Sequence, residues 1–149
     1  RVPVCLMHMS GEPRTMQADP RYGDVVAEVA AFLEERVAAC VAEGIDENLL
    51  IVDPGFGFGK NRDHNIELLL NLRQLAVRGR PLLVGVSRKT TLGELTERAV
   101  DDRMPASVAG AVIAVMHGAT VVRGHDVRET VDALKVAAAV IEADRRAGS

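Results

Sequence analysis

With 149 residues, 48% of them hydrophobic and 26% charged, and a net charge of −3, the chain has the makeup of one globular domain with apolar material for a single core. Its 18 basic and 21 acidic residues are interspersed, without the basic stripe of a nucleic-acid binder, so no nucleic-acid partner is expected. No apolar run approaches the roughly 20 residues of a membrane span, so no membrane partner is expected either.

Cys5 and Cys40 sit outside any metal-ligand spacing and no signal peptide is recognisable, so a reduced, cytoplasmic setting is expected. Val2–Met7 reads as a buried strand, and because Arg1 is not a methionine an upstream segment is expected. Asp24–Cys40 places Val25, Val29, Phe32, Leu33 and Val37 at helical spacing, with Val41 continuing the row and Gly44 as a stop. Leu49–Val52 is the second strand. Asn65–Leu75 carries Ile66, Leu69, Leu70 and Leu75 in a helical pattern, with Asp63 expected as its cap. Pro81–Val86 is the third strand. Pro105–His117 is a helix through Val108, Ala109, Val112, Ile113 and Met116, entered at Pro105 and left at Gly118. Thr120–Val122 is the fourth strand. Val127–Arg145 follows as a helix through Val127, Val131, Leu134, Ala138 and Ile141, its basic end suited to the helix dipole.

The order is βα four times, without linker, low-complexity tract or residue-level repeat. Strands that read as continuous apolar runs favour a parallel sheet covered by helices, an α/β fold. Four such units are close to half of a (β/α)8 barrel of typically ~250 residues. Periodicity alone favours a complete doubly wound domain instead, because a half barrel leaves two open edges.

Each strand runs into polar residues. The first ends at His8, flanked by Met7 and Met9. The second ends at Asp53 and turns through Pro54-Gly55-Phe56-Gly57-Phe58-Gly59-Lys60. The third runs into Gly85-Val86-Ser87-Arg88-Lys89, and the fourth into Arg123-Gly124-His125-Asp126. In a parallel α/β fold these ends share one rim and can converge on one ligand. Glycines let the backbone approach a ligand closely, and Phe56 and Phe58 in so mobile a segment suit something flat.

Each group has a bland reading beside a functional one. Asp53 either caps the Asp-Pro-Gly turn or accepts paired N–H bonds from a heterocycle edge, worth roughly 1.5–3 kcal/mol each. Ser87-Arg88-Lys89 is either a solvated basic loop or an anion- and ring-binding one. Arg123 and His125, two apart, either form rim salt bridges with Asp126 or Glu129, or clamp an anion while the Arg plane stacks on a ring. His8 reads as packed at its strand end, and His64 and His117 as structural or solvent-facing. A Walker loop fails because Pro54 and Asn61 stand where Gly and Ser or Thr are needed, and the dinucleotide fingerprint fails at Lys60. No protein-held zinc cluster and no Gly-x-Ser-x-Gly elbow is present in the sequence.

Four stretches together resemble the dihydropteroate synthase family: Leu6-Met7-His8-Met9-Ser10-Gly11-x-Pro13 with Met16-Gln17, Asp53–Lys60, Gly85-x-Ser87-Arg88-Lys89, and Arg123-x-His125-Asp126-Val127. Their order and spacing agree almost end to end. The resemblance implies that residues 1–149 form the C-terminal half, strands five to eight, of a (β/α)8 TIM barrel whose N-terminal half is absent. It implies a transferase of folate synthesis, joining 6-hydroxymethyl-7,8-dihydropterin pyrophosphate to p-aminobenzoate and releasing pyrophosphate. Asp53 would accept from the amino-pyrimidine edge of the pterin and Lys89 would donate to its other polar side. Met7 would pack against the pterin. Arg123 would stack over the ring and with His125 hold the pyrophosphate. Gly85 would line the site, and Phe58 and Ser87 would belong to the p-aminobenzoate pocket, where sulfonamides bind.

Mg2+ would ride on the pyrophosphate, with its main protein ligand in the absent half. The full protein would be a homodimer, and the isolated fragment inactive. Two departures from the family pattern are Gly124, where a β-branched residue is usual, and Thr90-Thr91 after Arg-Lys. Two other readings stand beside this one: a related barrel passing a methyl group from methyltetrahydrofolate to a corrinoid, and a non-catalytic half barrel that pairs with a copy of itself.

Overall fold

The computed structural model describes residues 2–12 and 14–147; Arg1 and Pro13 of the first motif lie outside them. Four short strands alternate with helices: β1 (Val4–Met7), α1 (Val25–Ala42), β2 (Leu50–Asp53), α2 (Arg62–Leu70), α3 (Leu72–Leu75), β3 (Leu83–Val84), α4 (Thr90–Thr96), α5 (Met104–Met116), β4 (Val121–Val122) and α6 (Val127–Ala147). All pairings are parallel. Val4 to Met7 align with Leu50 to Asp53, and Leu83 and Val84 with Val121 and Val122. A single bridge, Val52 to Leu82, joins the two pairs, and Val52 N–H donates to the Pro81 carbonyl at 3.0 Å. The spatial order is therefore β1-β2-β3-β4, as expected of consecutive βα units.

Alternation along the strands separates the two sheet faces. Leu50, Val52, Leu82 and Val84 are wholly buried beneath the helices, against Val29, Leu33 and Val37 of α1 and Leu68, Leu72 and Leu75 of α2 and α3. Cys5 and Met7, on the opposite face, are exposed, while Ile51, Leu83 and Val121 there are half-buried. Only one face of the sheet is covered by this chain's own helices.

Several sequence expectations need correction. The expected strands Val2–Met7 and Pro81–Val86 shrink to Val4–Met7 and Leu83–Val84; at their N-terminal ends Pro3 and Pro81 cannot donate to a ladder. The expected helix Asn65–Leu75 starts earlier, at Arg62, and breaks at Asn71. Its cap is Asn61, not Asp63: the Asn61 side chain accepts from His64 N–H at 2.9 Å, and His64 Nδ1 accepts from Asn61 N–H at 3.3 Å. Helix α4 was not foreseen; its Thr-Thr-Leu-Gly start carries weak helical propensity. Helix α1 is capped by Asp24, the residue at which the expected helix began, which accepts from Ala27 N–H at 2.9 Å. Gly44 and Gly118, at φ 82° and 112°, supply the expected stops.

The expected apolar stripes on α5 and α6 are not the buried ones. Helix α5 buries Ser107, Gly110, Ala111 and Ala114, leaving Ile113 and Met116 exposed. A Cβ on Gly110 would already lie 3.0 Å from Val86 Cγ2, so only a face of small residues fits so close to the sheet. Helix α6 buries Thr130 and Ala137 and exposes Val127 and Val131.

Candidate active site

The polar strand ends meet on one rim. Asp53 closes β2 in register with Met7, and His8 N–H extends the ladder to the Asp53 carbonyl at 3.0 Å. The Asp53 carboxylate is 4% exposed and lies within the fields of Arg123, Lys89 and Lys60. Its Oδ1 accepts from Gly55 N–H at 2.8 Å, so the turn-capping reading is correct. That bond occupies one oxygen and leaves Oδ2 without a hydrogen bond among the described residues, so capping and ligand binding are compatible. Burial raises the Asp53 pKa, opposed by the Gly55 bond and the three cations.

Lys89 extends over the glycine loop. Its Nζ stands 4.2 Å from the Phe58 ring centroid, and a Cβ on Gly57 would touch its side chain at 3.4 Å. Burial, and then Arg123, lower the Lys89 pKa. Arg123 N–H continues the β3–β4 ladder to the Val84 carbonyl at 3.0 Å. The Nε/Nη edge of its guanidinium packs against Gly85, where a Cβ would sit 3.0 Å from one Nη atom and 3.1 Å from Nε. Gly85 is thus the seat of the Arg123 side chain, and it aims that side chain despite Gly124 at the strand end.

Gly85, Ser87, Lys89, Arg123, Gly124 and His125 line a hollow of about 300 Å³. The expected salt bridges of Arg123 or His125 with Asp126 or Glu129 do not form: Asp126 pairs with Arg88 at 2.7 Å and Glu129 with Arg128 at 2.8 Å. Arg123 keeps its donors free of hydrogen bonds among the described residues. Ser87 Oγ is held by His125, at 3.0 Å from Nδ1 and 3.2 Å from the backbone N–H. Ser87 therefore stands on the Arg123 side of Lys89.

Across Lys89 lies a larger cleft of about 720 Å³, walled by Gln17, Gly57, Asn65, Thr90 and Thr91 among others. The sequence showed Gln17 only within the first motif, Asn65 only as a helix start and Thr90-Thr91 only as a departure, none with a role at the site. Asn65 is 3% exposed. Its Oδ1 accepts from Gly57 N–H at 2.9 Å, and its Nδ2 donates to the Asn61 carbonyl at 2.7 Å and Thr91 Oγ1 at 3.1 Å. Gln17 donates to the Gly57 carbonyl. An amide at the start of an otherwise apolar helical pattern was the available signal for Asn65.

The rim thus joins a buried carboxylate, two cations and an aromatic around two adjoining hollows. Such a site suits a planar heterocycle carrying an anionic group. The chain belongs to the pterin-binding enzyme family, whose model matches residues 1–125. It is 49% identical over 142 residues to the dihydropteroate synthase of Escherichia coli strain K12, covering 95% of this chain and 50% of that protein. Among solved structures, Yersinia pestis dihydropteroate synthase with a sulfonamide drug complex superposes with a TM-score of 0.92 at 48% identity, covering 95% of this chain and 52% of the other. Xanthomonas albilineans dihydropteroate synthase in complex with 7,8-dihydropteroate gives 0.86 at 48% identity, covering 93% and 50%. The chain spans about half the length of the curated relatives it matches.

Proposed function

We propose that the protein carrying this chain is a dihydropteroate synthase, and that β1 to β4 are strands five to eight of its (β/α)8 barrel. The observation that carries the reading is the placement of Asp53, Lys89 and Arg123 in one another's fields on a single rim. The uncovered sheet face and the alignment with about half of each relative support the barrel assignment. The N-terminal strands of such a barrel would cover that face.

In the reaction, the neutral aromatic amine of p-aminobenzoate attacks the methylene carbon of the pterin pyrophosphate. The carbon–nitrogen bond forms, the carbon–oxygen bond breaks, pyrophosphate leaves with the bonding electrons, and the amine loses a proton. No nucleophile or strong base is required of the protein; its work is positioning and charge stabilisation. Asp53 Oδ2 accepts from the amino-pyrimidine edge, and Lys89 donates to the ring from the other side. Met7 packs on the pterin. Arg123, seated on Gly85, stacks over the ring and with His125 holds the pyrophosphate. Ser87, expected in the p-aminobenzoate pocket, is given a different role here: bonded to His125, it orients that ring. The cleft beside Phe58, Thr90 and Thr91 receives p-aminobenzoate or a sulfonamide.

The described residues contain no group of three His, Cys, Asp or Glu suited to a metal. In this reading Mg2+ arrives on the substrate pyrophosphate, and no step of this chain runs through it. No helix among the described residues is long and apolar enough to cross a membrane; a cytoplasmic setting and a homodimer are part of the proposal. The exposed Ile113, Met116, Val127 and Val131 of α5 and α6 support self-association.

The test is pterin-dependent pyrophosphate release by the whole protein in the presence of p-aminobenzoate. Sulfonamide should compete with p-aminobenzoate, and methyltetrahydrofolate should not. Absence of turnover, or competition by methyltetrahydrofolate instead, would overturn the proposal in favour of the corrinoid methyltransferase reading or of a non-catalytic barrel.

A further inference from the structure

Lys60 is 3% exposed and none of the ligand roles above falls to it. Its ammonium reaches three acceptors: His8 Nδ1 at 2.9 Å, the Gly55 carbonyl at 3.0 Å and the Phe58 carbonyl at 3.0 Å. A charged lysine has three N–H bonds and no lone pair. The donor set is therefore complete, and His8 Nδ1 has to be the acceptor. That places the proton of a neutral His8 on Nε2. The His8 ring is held edge-on against Phe32, 4.9 Å between centroids. Burial and the Lys60 charge push the His8 pKa down to about 4, which keeps the ring in the accepting form.

The seam around this contact is closed. A Cβ on Gly55 would lie 1.8 Å from the His8 carbonyl oxygen, and one on Gly59 would lie 2.4 Å from the Ser10 carbonyl oxygen. Tyr22 donates its hydroxyl to the Gly59 carbonyl at 2.9 Å. The loop pinned here carries two ligand-facing features. Gly55 N–H holds Asp53 Oδ1, and the Phe58 ring lies under the Lys89 ammonium.

We propose that Lys60 is a positioning residue of this site: seated on the Nε2–H tautomer of His8, its ammonium fixes the Gly55 and Phe58 carbonyls and through them the Asp53 carboxylate and the Phe58–Lys89 contact. The substrate consequences rest on the synthase reading; the staple itself does not.

The test uses the whole protein carrying this chain. Long-range nitrogen-15 spectra of the unmodified protein at pH 7 should show His8 protonated on Nε2 with Nδ1 accepting. Lys60→Met should shift the amide signals of Gly55, Gly57 and Gly59. It should raise KM for both p-aminobenzoate and the pterin pyrophosphate by about tenfold, with a smaller fall in kcat. His8→Phe, which keeps the ring and removes one acceptor, should move the same signals and raise KM by about threefold. A His8 protonated on Nδ1, or a folded Lys60→Met protein with unshifted glycine amides and unchanged KM, would overturn the proposal. If Lys60→Met does not fold, His8→Phe decides by the same two readouts. If the unmodified protein turns over no substrate, the synthase reading fails, and the tautomer and glycine signals still judge the staple.

Discussion

The Lys89 ammonium stands 4.2 Å from the centre of the Phe58 ring, so the loops after β3 and β2 touch through a cation and an aromatic face. Such a contact is worth about 0.5–2 kcal/mol, depending on how far the cation is desolvated. Lys89 is half-buried, which places the contact inside that range rather than at its floor. In the whole protein, Phe58→Ala should raise KM for p-aminobenzoate by about three- to tenfold. The pterin should be affected less, because Asp53 and Arg123 are untouched. Steady-state kinetics with each substrate varied in turn checks this; equal effects on both would show that Phe58 acts only through the loop.

Asp53 has two roles to separate. Asp53→Asn keeps an oxygen for Gly55 N–H but loses the charge that meets the heterocycle, whereas Asp53→Ala loses both. The Asn variant should keep a stability close to the unmodified protein while its pterin binding falls. The Ala variant should lose about 2–4 kcal/mol in pterin binding or rate and also some stability. Pterin titration beside a urea midpoint gives both numbers, and unchanged pterin affinity in both variants would remove Asp53 from the site.

Gly55 and Gly79 have nearly the same backbone, φ 69° and 68°, in different surroundings. Around Gly79 nothing lies within 4 Å of an added Cβ, so Gly79→Ala should cost only the strain of a positive φ, about 1 kcal/mol. At Gly55 the same methyl would overlap the His8 carbonyl oxygen at 1.8 Å, and backbone cannot swing aside as a side chain can. Gly55→Ala should therefore cost more than about 3 kcal/mol and separate β1 from the glycine loop. Paired denaturation midpoints decide between strain and clash.

What the sequence made legible followed from how local each signal was. The βα order, the start of α1 near Asp24, the stops at Gly44 and Gly118 and the polar strand ends all rest on neighbours a few residues apart. The faces of α5 and α6 did not: α5 is apolar almost all round, so its buried side was chosen by how closely Val86 allows Gly110 to approach, which no window contains. The Asn65 bridge to Gly57 and Thr91, and the Lys60–His8 contact spanning 52 positions, are products of tertiary folding. Lys60 was misleading on its own, since a cation after a glycine run suggests phosphate yet here points inward. Gly85 was readable as part of a motif, but its reason, the edge of the Arg123 guanidinium packed against it, needed the strand register.

Arg88 and Asp126 tie the Lys89 loop to the His125 loop. Two guanidinium bonds, 2.7 and 3.3 Å, reach the two Asp126 oxygens, and Arg88 itself sits at φ 58°. The hydrogen bond raises the Arg88 pKa and lowers that of Asp126. Lysine cannot reproduce a two-pronged bond. Arg88→Lys should lower kcat/KM by about tenfold, as the Ser87–His125 contact loses its fixed partner. The midpoint of thermal unfolding should move little, because the pair is only partly buried and a lysine keeps one ion pair to Asp126. A large thermal shift with unchanged kinetics would make the pair a stability element instead.

The buried His8–Lys60 contact makes stability depend on pH in two windows, both with the same sign. For His8 the folded pKa is lowered to about 4 from 6.5, chiefly by burial and then by Lys60, with its own backbone and then Glu28 opposing. Between those values the unfolded chain holds more protons than the folded one, so this contribution is present above pH 6.5 and is lost as the pH falls through 4. Lys60 is lowered to about 8 from 10.5, again chiefly by burial, with Asp53 opposing and Lys89 adding. From pH 8 to 10.5 the unfolded chain again holds the extra proton, so the Lys60 contribution makes the protein more stable as the pH rises through that window. Urea midpoints from pH 4 to 10 should show both arms, the acid one amounting to no more than about 3 kcal/mol. His8→Phe should flatten the acid arm and Lys60→Met the alkaline one. An acid arm between pH 6.5 and 4 that survives His8→Phe intact would remove His8 as its source; Asp126, whose folded pKa is lowered from 3.8, acts only below that window.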